Sequence, residues 1–517
     1  MFGTRRAAIG DTERAFSALV LGDALPVSAH RWATRPSVAV ERSLRSAKDK
    51  HLVLQRIPES IDAKPLGFAA CGRVQDSSLV RYFEAAVGAT THIGAGRSRG
   101  LARVDLKIEW ENPAPARAGA LLLDGDGDVQ LRVTLESPAL IGASIVDGNY
   151  RQTRFEIPGS TARGAVGFAL RELVANIDRD PAIQDLLHEQ HGARFGFLYP
   201  ANSSISASPG GVSGPLPITS AWCKQATWKH GVIDTLLDRL VLLHATSAVE
   251  ASRAVENRAA RCVHPGCNEP LRTAHGSRQS ADPPRTRTIV RVAMDRSRQS
   301  ARDGQLFSQV LLAPGTVLTG TIRGIPPNSR HRLAQALGSG ILSFGRGRSA
   351  GWGQANIEIE KAPVLPPLAE RAAAFDGALR GRLQAAGLDT DRIGRLVPVT
   401  LLSPLWPRGT ARGSSEHDDD HDDGASDLCA ALGPATCFLS ARRFARDGAW
   451  DQRTGEMRTF RSTAAGAVFV LELARATWRD VVTRLEALER DGIGQRRDQG
   501  FGQVVCFDPH FIASQNG

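Results

Sequence analysis

The feature that most constrains this chain is an internal repeat. Residues 38–55 lie on 292–309 without a gap. Ala39, Arg42, Ser43, Ser46, Ala47, Asp49, Leu52 and Gln55 meet Ala293, Arg296, Ser297, Ser300, Ala301, Asp303, Leu306 and Gln309. A shift of three residues brings Gly94, Gly96, Arg97, Ser98 and Gly100 onto Gly345, Gly347, Arg348, Ser349 and Gly351. A third loop places Gly494, Arg497, Gly500, Gly502 and Gln503 on Gly345, Arg348, Gly351, Gly353 and Gln354, with Phe501 standing for Trp352. Three units thus share one order: a strand pair, a helix, a glycine/arginine loop, a last strand. Helices segregated beside antiparallel strands predict an α+β fold of tandem ferredoxin-like (RRM-like) domains.

The loops carry their own chemistry. Glycine permits positive φ and close backbone approach. Consecutive N–H groups form an anion nest, and arginine adds forked phosphate donors. A tight turn with solvated arginines is the plain alternative. Composition bears on that choice. The 517 residues exceed one core, so about three domains are expected. The net charge of +10 favours a polyanion, nucleic acid more than membrane. Arginine replacing lysine in a GC-rich coding sequence gives the same excess. No apolar run of about 18 residues predicts a membrane span, and the N-terminus shows no secretion signal. Seven cysteines, an odd number, argue against a secreted disulfide scaffold, so a cytoplasmic location is expected.

Residues 157–164 read Ile-Pro-Gly-Ser-Thr-Ala-Arg-Gly. Ser160 or Thr161 can cap a helix over about 162–178. Arg163 then sits in the first turn, where the helix dipole disfavours a cation. Helix end and arginine together suit a phosphate; an ordinary capped helix with an exposed arginine is the alternative. Cys223, His230, Cys262 and Cys267 read as C-x6-H and C-x4-C, a set suited to structural Zn2+. His264 is a rival fourth ligand, His244 and His275 weaker ones, and reduced cysteines in a loop-rich insertion the plain alternative. The acidic run at 416–424 reads as a solvated insertion.

Three of these segments carry a family resemblance. Residues 157–164 resemble the I-P-G-S-S-x-[RK]-G signature of the CRISPR-associated RAMP superfamily. Residues 295–307, from Asp295-Arg296 to Leu306-Phe307, resemble its D-R-x-x-x-x-A-x-x-G-x-L-[FY] segment, and the three loops resemble its terminal G-rich loop. The likeness covers most of 36–510. Cys223-Lys224, residues 230–237 and the later cysteine pair are most similar to the large multi-RAMP subunit of type III-D effector complexes. The resemblance implies a guide-RNA (crRNA)-binding backbone subunit. Its partners would be crRNA, target RNA, other RAMP subunits, a large polymerase/cyclase-type subunit and a small subunit, with no membrane. It implies a partial RAMP domain at 1–115 and a complete one at 129–360 with a zinc-module insertion at about 221–275. A C-terminal RAMP-like domain follows at 361–517, with an acidic insertion at 414–426. The first unit has no I-P-G-S segment, so an upstream stretch, a partner or another part of the chain is expected to supply that half.

The RNA-binding residues expected on this basis are Arg42, Arg45, Lys48, Gly96, Arg97, Arg99, Ser160, Arg163, Arg296, Arg298, Arg302, Gly345, Arg346, Gly347, Arg348, Arg496 and Arg497. Members that cut target RNA hold an aspartate in the loop before I-P-G-S, and Asp147 stands in the matching loop. It can hold a divalent ion such as Mg2+ or position a 2′-OH; a turn-forming Asp-Gly is the alternative. Guide processing by a histidine base finds no histidine in 157–178, and His92 is the near candidate. Trp352 can stack on a base or fill the core.

Overall fold

The computed structural model describes residues 19–513 except 22–23, 29, 42–45, 62–63, 71, 75–76, 94–102, 111–126, 143, 148, 175, 202–211, 246–249, 251–260, 263, 281, 296–299, 391–393, 409–423, 452–455 and 474–477. The fold mixes helices with several sheets, in two compact units. One is Met1–Asn112 with Gly347–Trp352; the other is Pro113–Arg346 with Gly353–Gly517.

In the first unit, β1 (Leu19–Leu21) pairs with β6 (Gly72–Val74), and β2 (Leu25–Pro26) with β5 (Phe68–Ala69). A long hairpin joins β3 (His30–Glu41) to β4 (Ser46–Ser60). Helix α1 (Val80–Gly88) buries none of its residues. The last strand that the repeat predicts for this unit is not seen among the described residues: 104–110 are not in a ladder, and Arg103 makes a single bridge to His92. The matching last strands of the other unit both lie against a first strand, and the described residues of this unit show no such neighbour.

The second unit holds one chain order twice. β7 (Val129–Leu135), α2 (Gly159–Leu173), β10 (Arg194–Phe195), β17 (Val317–Arg323), α5 (Arg330–Leu337) and β18 (Ala355–Lys361) form the first copy. Their sheet runs β18-β7-β17-β10, antiparallel throughout, with β11 (Tyr199–Pro200) also on β17. The second copy is β19 (Arg395–Leu401), α7 (Ala425–Leu432), β20 (Ala435–Ala441), β23 (Val468–Leu473), α8 (Trp478–Asp491) and β24 (Val504–Cys506), ordered β24-β19-β23-β20. In each, the first strand is central; β7 alternates apolar with polar residues, as a strand with one core face should, whereas β19 reads as a near-continuous apolar run.

Helix α2 starts earlier than its sequence suggests. Pro158 takes the cap position at φ −58°, and neither Ser160 nor Thr161 caps it. Proline supplies the entry conformation without a donor to satisfy. Ala162, Ala165, Val166, Ala169 and Leu170 then repeat at helical spacing and are buried, packing α2 on α5. The helix ends at Leu173, and Asp180 caps a separate short helix α3 (Pro181–Leu186).

The sequence repeat corresponds to two hairpins. In β15 (Thr286–Asp295) and β16 (Ser300–Leu312), Thr286 lies opposite Leu312 and the register slips between Val292 and Met294. In the first unit His30 lies opposite Ser60 and the slip falls between Val38 and Val40. Both slips sit at equivalent positions of the repeat, so the repeated residues encode a bulge as well as two arms. A third hairpin, β21 (Phe444–Asp451) with β22 (Glu456–Thr463), has no slip. β16 also carries a small flap, β8 (Ser144–Asp147) and β9 (Tyr150–Gln152).

A separate three-stranded sheet runs β13 (Thr227–Asp234), β12 (Ser220–Cys223) and β14 (Leu271–Thr273). It leads into α4 (Leu236–His244). Leu236, Leu237, Leu240 and Val241 of α4 belong to the core of the second sheet, with α6 (Leu368–Ala385). The chain closes on α9 (His510–Ala513).

Candidate nucleic-acid interface and metal centre

The glycine/arginine loops at 344–354 and 493–503 each hang, by their two ends, from a seat made just after the central strand of a sheet of the second unit. Phe344 N–H donates to Gly353 O (2.8 Å), Arg346 N–H to Leu140 O (3.0 Å), Gly353 N–H to Pro138 O (2.9 Å), and Gln354 N–H to Ser137 Oγ (2.8 Å). In the later loop Ile493 donates to Gly502 O (2.9 Å), Gln495 to Trp406 O (2.9 Å), Gly502 to Pro404 O (2.9 Å) and Gln503 to Ser403 Oγ (2.9 Å). The turn needs glycine. Gly353 and Gly502 have φ of 74° and 67°, and a Cβ would lie 2.0 and 1.8 Å from the carbonyls of Phe344 and Ile493. The Ser-Pro pairs 137–138 and 403–404 are the part of the motif sequence reading missed; their recurrence after each central strand is the signal that could have found them.

The surroundings of the two loops differ. Arg346 is exposed, while burial pushes the half-buried Arg348 below the ordinary arginine range. Trp352 is 3% exposed, so it fills core rather than offering a face to a base. The later loop faces α2 and β10. A Cβ on Gly500 would lie 2.2 Å from Phe195 O, and one on Gly159, in the α2 start, 2.0 Å from the same oxygen. Asp498, 3% exposed, pairs with Arg163 at 3.6 Å, and Arg163 also donates to Leu187 O. Arg496 lies 3.9 Å from Glu189. Arg497 reaches Asp491 O (3.4 Å). Phe501 meets Phe197 edge-on, ring centres 5.3 Å apart. Ser160 is half-buried in the first turn of α2.

Arg42, Arg45, Gly96, Arg97, Arg99, Arg296 and Arg298 lie outside the described residues. Lys48, Arg302 and Asp147 are placed by their backbone alone, on β4, β16 and β8. Asp147 ends its strand opposite Tyr150. His92 has its ring Nδ1 3.0 Å from Thr91 Oγ1.

Cys223, His230, Cys262 and Cys267 do converge: one ligand atom from each lies within 4.8 Å of all the others. Cys223 Sγ is 3.8 Å from Cys267 Sγ, and Cys262 Sγ is 3.5 Å from His230 Nδ1. A tetrahedral centre with Zn–S bonds of about 2.3 Å separates its sulfurs by about 3.8 Å. The group can hold a metal ion and its donor set is compatible with zinc. The Ala226 N–H donated to Cys223 Sγ (3.4 Å) holds that thiol below its ordinary range. His264 stacks on His230 with ring centres 4.0 Å apart, His275 meets Trp222, and His244 stacks on Phe438.

The other end of β12 and β13 is tied to the chain's C-terminal end. Buried Asp234 accepts from Thr219 Oγ1 (2.8 Å), Ser220 Oγ (3.1 Å) and Leu236 N–H (2.8 Å), and burial pushes its carboxyl up to about 6. Ser220 Oγ lies 3.0 Å from His510 Nε2. Arg278 and Asp508, both about 1% exposed at the side chain, form a forked ion pair beside it.

No family model matches the chain, and no curated protein matches it. Among solved structures it is similar to a chain in the cryo-EM structure of type III-B Cmr-beta bound to cognate target RNA and AMPPnP. Identity is 12%, over 66% of this chain and 86% of that one, with a TM-score of 0.32. A chain of the same complex in the apo state is 12% identical over 46% and 98%, TM-score 0.26. The CRISPR-associated protein Cas6 is 9% identical over 73% and 98%, TM-score 0.25. Among the described residues no helix is long and apolar enough to cross a membrane.

Proposed function

We propose that the chain is a guide-RNA-binding backbone subunit of a type III CRISPR effector complex. In this reading it consists of tandem ferredoxin-like RAMP domains, most similar in motif order to the large multi-RAMP subunit of type III-D. The observation that carries it is the doubled unit. Two sheets share one strand order, each is followed by a glycine/arginine loop in the same hydrogen-bonded seat, and the first loop presents Arg346 to solvent. A four-stranded sheet with a basic loop suits RNA, with grip on phosphates and shape and sequence left to the guide's base pairing. The net charge of +10 agrees with that use. On this reading residues 1–115 form a partial domain, 129–360 a complete one and 361–517 a third. The partners are crRNA, target RNA and the other subunits of such a complex.

The decisive experiment is guide-RNA binding by the Arg346→Ala, Arg348→Ala double variant at about 0.15 M salt. Affinity is expected to fall at least about tenfold; unchanged affinity overturns the reading. The cysteine–histidine group is read as structural zinc, holding the insertion's strands together. Native mass spectrometry of the full chain should find one zinc ion, lost in Cys262→Ser.

A further inference from the structure

The C-terminal end of α8 is met by arginines from three other elements of the second unit. Arg194 on β10 donates through Nη1 to Arg490 O (2.7 Å) and Asp491 Oδ1 (2.9 Å). Arg323 on β17 donates through Nη1 to Glu489 O (2.9 Å). Arg497, from the later glycine loop, approaches Asp491 O through Nη1 at 3.4 Å. These contacts satisfy carbonyls that a helix end leaves open, and a cation suits the negative end of the dipole.

One nitrogen of each arginine is enough for that task. All three arginines, together with Arg490, line one small open cleft. Its charge is unbalanced. Glu489 is already held by both Nη atoms of Arg371, each at 2.8 Å. Asp491 is shared between Arg194 at 2.9 Å and Arg490 at 3.2 Å. Within the lining, four guanidinium groups therefore face one carboxylate that has no cation outside the cleft, and Asp128 acts on Arg323 from beyond the lining. Burial lowers Arg323 below the ordinary arginine range despite Asp128 and Glu489, and burial with Arg194 and Arg408 does the same to Arg497. A partly enclosed cleft with surplus positive charge favours an anion, and forked donors from different directions match tetrahedral oxygens.

We propose that this cleft binds a phosphate group, with Arg194, Arg323 and Arg497 as its donors. The group can come from an RNA backbone or from free phosphate. The RNA source rests on the function proposed above; the phosphate site does not.

The test is a titration of the full chain with inorganic phosphate, followed by thermal midpoint against chloride at matched ionic strength. Wild type should show a saturable rise. Half-saturation should need at least about tenfold more phosphate in Arg323→Lys, which keeps the charge and a donor but loses the fork. Arg497→Ala provides the same comparison should the first variant not fold. No phosphate-specific rise in wild type overturns the proposal, and so does an equal rise in both variants. Binding of single-stranded RNA by the same proteins then assigns the source. Weaker RNA binding in the variants points to a backbone phosphate, and unchanged RNA binding with phosphate binding lost points to free phosphate. A wild-type chain that binds phosphate but no RNA supports this site and overturns the guide-RNA reading.

Discussion

The loops at 344–354 and 493–503 share a backbone and differ in what they face. Both hang from a Ser-Pro seat, both turn through glycines at positive φ, and both bury an aromatic. Their contents then part. Where the earlier loop has Arg346, exposed, the later has Gln495, whose side-chain amide donates to Pro407 O (2.9 Å). Where the earlier has Ser349, the later has Asp498, buried against Arg163. A repeated local motif thus sets a turn, and its neighbours decide what the turn packs on. The later copy joins two sheets of the second unit; the earlier leaves Arg346 in solvent, and its residues 347–352 group with the first unit.

The largest test of this contrast is Gly500→Ala. The new Cβ would fall 2.2 Å from Phe195 O at a backbone φ of 79°, so the variant should lose about 3 kcal/mol or more in urea unfolding. A loss under about 1 kcal/mol would mean that the loop is not an interface. Next comes RNA affinity. The Arg346→Ala, Arg348→Ala variant should bind guide RNA at least about tenfold more weakly, whereas Arg496→Ala should change it by less than about twofold. Equal losses would erase the distinction. A related measurement is the salt dependence of binding, whose slope should shrink by about one for each phosphate-contacting arginine removed from the earlier loop.

The smallest effect is on pH dependence. Burial raises the Asp498 carboxyl against the pull of Arg163 and Arg496. Its folded value therefore lies above the unfolded value of about 3.9. As pH rises between the two, the unfolded state ionises first, so stability falls across that window and levels off above it. Asp498→Ser, which copies the earlier loop, should flatten that segment. An unaltered profile would show that Asp498 does not carry it.

Much of this was legible in the residues. The match of 38–55 to 292–309 reported two hairpins down to a shared register slip. The cysteine and histidine spacing reported a converged group, although 32 residues separate His230 from Cys262. Other features were not legible, for physical reasons. Ser160 looked like a cap, but the helix enters at Pro158, and the next residue, Gly159, lies too close to Phe195 O and Gln499 O for a side chain, a contact that no local pattern announces. The three loops looked alike because turn chemistry is local, while burial of Asp498 depends on a helix more than 300 residues earlier. Arg194 and Arg323 sit in short or ordinary strand sequence; only the sheet order aims both at the end of α8.

Helix α4 has a consequence for synthesis. Its Leu236, Leu237, Leu240 and Val241 share a core whose other fully buried members all lie among residues 368–511, so they emerge from the ribosome before most of that core exists. At typical elongation rates the wait is on the order of 10 to 50 seconds. During it this short apolar helix stands open beside a cysteine-rich insertion. Early metal capture by that insertion would tether α4 at one end, leaving less sticky chain to guard until the last sheet arrives.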